Sequence, residues 1–268
     1  MTTVQINNQE LFFEDSGGDG PPLLFLHGFL FDHTMFKAQV DMLTPDYRCI
    51  QLDTRGFGQT KWDGKAFDLY DIVSDCIGLL DHLGIEKVTL MGMSQGAYAS
   101  VRLAIRHPER VQAMVLMSTR MDITSQEFND NYKTLRDAWR ENGAQDFLIE
   151  PLMNLLIGGQ EHFGEHWARW RPSWERFPGE AMYHTMNALL ARNILTEEEI
   201  RQIDVPVLSV HGLDDLGTPV GLADRLYNLF PNGKGKVRVK GAAHAVNMTH
   251  PDIVTPPIRE FLDTYVNI

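Results

Sequence analysis

The pentapeptide Gly92-Met93-Ser94-Gln95-Gly96 is where this sequence could do covalent chemistry. A serine hydroxyl is a weak nucleophile at neutral pH. It needs a base to take its proton and an acid to orient that base. The apolar run VTLM leads into the pentapeptide and a helix-forming segment leads out, so Ser94 falls on a sharp strand-to-helix turn. Small residues two before and two after the serine keep neighbouring side chains from colliding there. The helix start behind Ser94 offers free N–H groups and positive dipole charge to an oxygen that becomes negative.

The base is expected late in the chain. Of ten histidines, His244 in KGAAHAVN follows the last predicted strand and stands in a loop of small residues. His107 and His250 adjoin prolines at helix ends and read as a stop and a cap. His211 ends a strand and reads as a structural neighbour of the site. By the chain order serine, acid, histidine, the acid belongs after VPVLSVHG, where Asp214 and Asp215 are adjacent. Consecutive side chains diverge, so only one can face His244. The spacing Gly212, Asp215, Pro219 favours Asp215 and leaves Asp214 to the loop. A tetrahedral intermediate also needs two N–H donors aimed at its oxygen. The amides of Phe29, in His27-Gly28-Phe29, and of Gln95 are the natural pair, with Gly28 read as permitting the backbone turn that aims Phe29.

These groups lie far apart in sequence, so a fold must gather them. Short apolar runs at 23–26, 47–52, 88–93, 111–117, 205–210 and 236–239 lack alternation, as strands covered on both faces do. Residues 3–15 read as a hairpin turning at Asn7-Asn8. Helix-period segments at 67–83, stopped by Gly84, at 97–105 and at 251–265 separate or close the series, with Pro256-Pro257 expected to restart or kink the last. Strand–helix alternation predicts an α/β fold with a mostly parallel central sheet and helices on both faces. Residues 121–203 break the rhythm. They are helical in pattern and hold four of the five tryptophans, Trp139, Trp167, Trp170 and Trp174, the last three at helical spacing that Pro172 is expected to interrupt. The expected organisation is therefore a core of residues 1–120 and 204–268 with a helical insertion of 121–203 over the sheet. Trp167, Trp170 and Met93 are the candidates to line an apolar pocket facing Ser94, against the plainer reading of internal packing.

Composition narrows the partners. A formal net charge of -12 disfavours nucleic-acid phosphates and anionic membranes, and no basic run interrupts it. No apolar run approaches the ~18–20 residues that span a bilayer, and the start MTTVQINNQE lacks the form of a signal peptide. Cys49 and Cys76 form no CxxC and read as small buried hydrophobes. A soluble cytoplasmic protein is expected, with a homo-oligomer left open. His162-Phe163-Gly164-Glu165-His166 matches a zinc-protease string, but Gly164 weakens the helix and no third ligand is signalled, so no metal is expected.

HGF, DTRGFGQT, GMSQG, HGLDD with Pro219, and GAAH occur in an order that resembles the α/β-hydrolase superfamily. The layout is similar to its esterase, cofactor-free haloperoxidase (perhydrolase) and 3-oxoadipate enol-lactonase-like branch. The resemblance covers residues 23–120 and 205–268, and it implies that the insertion is the family's variable cap. It also implies that Asp53, Arg55, Gly56 and Gly58 form a scaffold loop near the site. Relatives acting on epoxides or haloalkanes carry aspartate where this chain has Ser94. Carbon–carbon hydrolases of aromatic ring cleavage carry a longer glycine-rich stretch after HG than HGFLFD provides. The resemblance thus implies a cofactor-free serine hydrolase with Ser94, Asp215 and His244 as triad. Its substrates would be small to medium apolar esters or lactones. A C–C hydrolase or lyase on the same triad, and a non-catalytic ligand-binding member of the fold, are the alternatives.

Overall fold

The computed structural model describes residues 2–120, 126–192 and 194–266. Strands β1 (Thr2–Ile6) and β2 (Gln9–Asp15) form the expected hairpin, with Asn7 and Asn8 at φ 49° and 62°. Two successive left-handed residues make the turn whose twist matches paired strands, and asparagine tolerates that conformation. Six more strands follow: β3 (Pro22–Leu26), β4 (Arg48–Leu52), β5 (Val88–Met93), β6 (Val111–Met117), β7 (Val207–Gly212) and β8 (Gly233–Val239). Among the described residues they build one sheet in the order β1-β2-β4-β3-β5-β6-β7-β8. The β1–β2 and β2–β4 pairings are antiparallel, and every other pairing is parallel. Strands β5 and β7 are buried along their whole length, as the lack of polar–apolar alternation predicts, with Thr89, Ser209 and His211 buried among the apolar residues. Strand β8 starts three residues before the apolar run at 236–239. It is the sheet's edge, so Gly233 pairs with Val207 while lying exposed, and the register skips the exposed Lys234 before Gly235.

Helices α1 (Lys37–Leu43), α2 (Leu69–His82) and α3 (Gln95–Arg106) connect the first parallel strands. A capping box closes the start of α2: Asp68 accepts from the Tyr70 and Asp71 amides, and Asp71 accepts from the Asp68 amide. Its inner face buries Leu69, Ile72, Val73, Cys76, Leu79 and Leu80. Both cysteines are buried; burial pushes the Cys49 thiol up to about 11 and raises Cys76 as well, so both serve as inert apolar groups.

Between β6 and β7 lie α4 (Gln126–Asn142), α5 (Asp146–Leu156), α6 (Gln160–Glu175), α7 (Gly179–Leu190) and α8 (Glu197–Arg201), and no strand among the described residues. The expected start of the insertion, residues 121–125, lies outside the described residues. Helix α9 (Val220–Tyr227) joins β7 to β8, and α10 (Val246–Thr249) and α11 (Pro251–Tyr265) close the chain. No helix among the described residues is long and apolar enough to cross a membrane.

Two prolines-in-helix expectations are corrected. Helix α11 runs through Pro256-Pro257 as one element, and α6 runs through Pro172. The carbonyls that lose their partners belong to Asp252, Ile253 and Ala168, all exposed, so water can bond them. The inward faces, Val254, Ile258 and Phe261 in α11 and Trp167, Trp170 and Trp174 in α6, hold each helix on its track. The break in α6 falls instead at Phe163 (φ -125°, ψ 31°), beside Gly164.

The loop after β4 is held from several sides. Arg55 makes a paired contact with Asp75 of α2, at 2.6 and 2.7 Å. Asp53 accepts from the His33 amide, from His33 Nδ1–H and from the Gln59 amide, each at 2.8 Å. Burial pulls His33 down, but Asp53 outweighs it and holds the imidazole above its ordinary value. A histidine raised in this way stabilises the fold fully below its unfolded pKa, and the contribution is lost as pH rises through the folded pKa. His33→Asn is therefore expected to cost more stability at about pH 5.5 than at about pH 9, read from urea midpoints. An equal cost at both would show that His33 carries no charge in this pair.

Candidate active site

The chain passes from β3 outward to β4 and then back across β3 to β5. The strand order therefore reverses between β3 and β5, and the crevice at their carboxyl ends is where open α/β sheets bind ligands. His27-Gly28-Phe29 leaves β3 there, and Ser94 leaves β5. Ser94 has φ 49° and ψ -110°, a left-handed conformation that costs a residue bearing a Cβ roughly 1–3 kcal/mol. The surroundings enforce it. The Ser94 amide donates to the Met117 carbonyl at 2.8 Å, and the Ser94 carbonyl accepts from Tyr98 at 3.0 Å. Gly96 must be glycine because its amide reaches the His27 carbonyl at 3.1 Å while a Cβ would stand 1.9 Å from the Leu26 carbonyl oxygen.

The structure brings Ser94, His244 and Asp215 into one row. The Ser94 hydroxyl donates to His244 Nε2 at 2.8 Å, and His244 Nδ1–H donates to Asp215 Oδ2 at 2.7 Å. The carboxylate can only accept, so it places the imidazole proton on Nδ1 and leaves Nε2 open to the serine. The loop of His244 is pinned from two sides: Ser118, itself at φ 48°, donates its hydroxyl to the His244 carbonyl at 2.5 Å, and the Ala245 amide donates to Leu156 of α5 at 2.7 Å. Asp215 is buried, whereas Asp214 is exposed and, among the described residues, only its amide is engaged, with the Ala242 carbonyl. Burial pushes Asp215 up, but His244 and His211 outweigh it and hold the carboxyl well below the usual range.

Of two neighbours of this row, His211 was read from the sequence as a structural neighbour and Thr218 was not singled out. Thr218 donates its amide to Asp215 Oδ1 at 2.8 Å and its hydroxyl to Asp215 Oδ2 at 2.9 Å. That hydroxyl also stands 2.8 Å from His244 Nδ1. His211 Nε2–H donates to the Thr218 carbonyl at 2.6 Å. The sequence signal was available only as the Thr-Pro pair at the end of the Asp215 turn.

Phe29 and Gln95 are both buried, and among the described residues neither backbone amide donates to a protein acceptor. Gly28 plays a different part from the one expected. It is not left-handed; Leu30 is, at φ 65°. Position 28 favours glycine for space, since a Cβ would meet Met93 Sδ at 2.5 Å and force that side chain to shift. The Phe31 amide closes the turn on the Gly28 carbonyl at 3.2 Å. His27 braces the loop from below: Nδ1–H donates to the Gly28 carbonyl at 2.8 Å and Nε2 accepts from the Thr54 amide at 3.0 Å. Burial lowers its pKa, in keeping with a neutral ring in that tautomer.

The three pocket candidates part company. Met93 is fully buried with its sulfur against Gly28, so it supports the loop below. Trp167 is buried and its indole N–H is bonded to the Gly158 carbonyl at 2.8 Å, which is internal packing. Trp170 lies edge-on to Phe31 at 4.9 Å and lines, with Phe31, Phe57 and Phe177, a cavity of 610 Å³ whose lining also carries Asp32, Lys61 and Arg176 and does not include Ser94. Phe57 stacks on Phe177 of the insertion at 5.5 Å and meets the Phe29 ring edge-on at 5.6 Å, forming an aromatic wall between that cavity and the turn at Phe29.

His162 is exposed, and His166 lies across Phe163 from it with its ring at half burial. Among the described residues, the group of three side chains close enough to share a cation is Asp32, His33 and Asp53. Their ligand atoms are already engaged: Asp53 accepts three donors and Asp32 accepts from the Thr34 amide and hydroxyl.

Residues 21–251 match the family described as alpha/beta hydrolase fold. The chain is 27% identical to a non-heme haloperoxidase of Rhodococcus erythropolis, over 95% of this chain and 96% of the relative. It is 29% identical to a pimeloyl-[acyl-carrier protein] methyl ester esterase of Nitrosomonas europaea, over 89% and 94%. Among solved structures, a thermophilic esterase of Thermogutta terrifontis superposes with a TM-score of 0.90 at 26% identity, covering 99% of each chain. Fold, strand order and this match together identify the chain as a member of the alpha/beta hydrolase family.

Proposed function

We propose that this hydrolase cleaves carboxylic esters or lactones of small to medium apolar substrates through an acyl-enzyme on Ser94. The observation that carries the reading is the unbroken row from the Ser94 hydroxyl through His244 to Asp215, at 2.8 and 2.7 Å. His244 Nε2 takes the proton as Ser94 Oγ attacks the ester carbonyl carbon. The amides of Phe29 and Gln95 are free to hold the oxygen that becomes negative. Collapse breaks the ester C–O bond, and His244 returns the proton to the departing alkoxide. A water then gives its proton to His244 as it attacks the acyl carbon; the acyl C–Oγ bond breaks, His244 returns the proton to Ser94 Oγ, and the acid product leaves. In a lactone the alkoxide stays tethered, and the same steps open the ring. Esterase relatives at 29% and 26% identity support the ester class.

p-Nitrophenyl esters of graded acyl length and simple lactones test this. Turnover with an initial burst of nitrophenol, equal to the enzyme present, is the expected result. Absence of turnover on every ester and lactone, by protein shown to be folded, overturns the reading.

A further inference from the structure

We infer that Thr218 is a positioning residue for His244, acting through its hydroxyl as a bridge between the imidazole and Asp215; the inference rests on the ester-hydrolase reading above. The contacts form a closed triangle. His244 Nδ1 lies 2.7 Å from Asp215 Oδ2 and 2.8 Å from Thr218 Oγ1, and Thr218 Oγ1 lies 2.9 Å from the same carboxylate oxygen. Donors and acceptors permit one assignment. A carboxylate has no proton to give, so the Thr218 proton lies toward Asp215 Oδ2. The lone pairs of Thr218 Oγ1 are then turned to His244 Nδ1–H, whose proton is shared between two oxygens.

That arrangement has a use only when the imidazole becomes charged. As His244 takes the serine proton, the Nδ1–H becomes a stronger donor and is met by two acceptors in place of one. The hydroxyl is itself polarised by the carboxylate it donates to, which strengthens its acceptance. Two fixed acceptors also resist rotation of the ring away from Ser94. The rest of the loop is built to hold this hydroxyl still: Thr218 is buried, its amide is bonded to Asp215 Oδ1, and its carbonyl receives His211 Nε2–H at 2.6 Å. The amide contact alone would close the Asp215 turn for almost any residue, so the turn does not account for the hydroxyl.

Thr218→Val keeps the shape and removes the bridge, and Thr218→Ser keeps the bridge and removes the methyl. The expected result is a kcat about 10- to 100-fold lower for Thr218→Val with KM within about 2-fold, the scale of one hydrogen bond to a charged group. Thr218→Ser is expected to restore kcat to within about 3-fold of the parent. The low-field proton resonance of His244 Nδ1–H, identified by its loss in His244→Gln, is expected to move in Thr218→Val and hold in Thr218→Ser. Equal kcat losses in both variants would overturn the inference, because the site would then need the methyl. So would a Thr218→Val enzyme within about 2-fold of the parent. If the parent turns over no ester, the function reading falls by itself, and the Nδ1 resonance still decides whether the hydroxyl bridges: an unmoved signal in Thr218→Val refutes it.

Discussion

Ser94→Ala is expected to abolish stoichiometric labelling by a fluorophosphonate probe and to lower ester turnover by about five to six orders of magnitude. The loss is large because one atom carries both steps of the reaction. Without Oγ no acyl-enzyme forms, and His244 is left with a base position but no nucleophile to activate. The Phe29 and Gln95 amides remain, so a residue of activity is expected from the oxyanion site acting on water, roughly 10³–10⁴ above the uncatalysed rate. The fold should tolerate the change. Alanine bears the same Cβ as serine at φ 49°, so the strain of the turn is the same, and among the described residues the Ser94 side chain bonds only to His244. A thermal midpoint close to the parent's is therefore expected alongside the lost activity. Labelling retained at full stoichiometry in Ser94→Ala would place the nucleophile elsewhere and end the acyl-enzyme proposal.

Much of this was legible in the sequence for a physical reason. A strained strand-to-helix turn permits few residues, so Gly92, Ser94 and Gly96 announce themselves locally. Strands buried on both faces, such as β5 and β7, appear as apolar runs because no position along them can be polar without cost. The edge strand β8 obeys no such rule over its first residues, and its start was missed. Prolines mislead where the orphaned carbonyl faces water, as at Pro172 and Pro256-Pro257. The role of Gly28 was misread because a glycine in sequence does not say whether it supplies a dihedral or merely room; only the sulfur of Met93 beside it decides. Thr218 was invisible for a related reason. Its amide serves a turn that many residues could make, and the second partner of its hydroxyl, beyond Asp215, comes from a loop twenty-six positions away. The choice of Asp215 over Asp214 had to rest on spacing, whereas in the fold the two differ plainly, one buried against His244 and the other exposed.

That difference makes Asp215→Asn the sharper test of how the row works. Asp215 Oδ1 faces the Thr218 amide at 2.8 Å, and this N–H cannot become an acceptor. The asparagine carbonyl oxygen is therefore drawn to the Oδ1 position, and its NH₂ group is left facing His244 Nδ1. An NH₂ group there favours the imidazole tautomer with Nδ1 bare and the proton on Nε2. In that tautomer Nε2 has no lone pair for the Ser94 proton, although every heavy atom stands where it did. A fall in kcat of about 10³- to 10⁴-fold is expected, with KM little changed and the fold intact. Labelling by the fluorophosphonate should slow in the same proportion yet still reach one probe per chain, because Ser94 remains. Asp214→Asn is the matched control: its side chain is exposed and should leave kcat within about 2-fold. If the two variants exchanged these outcomes, the acid would be Asp214. If neither lost more than about 10-fold, His244 would not depend on a carboxylate to set its tautomer.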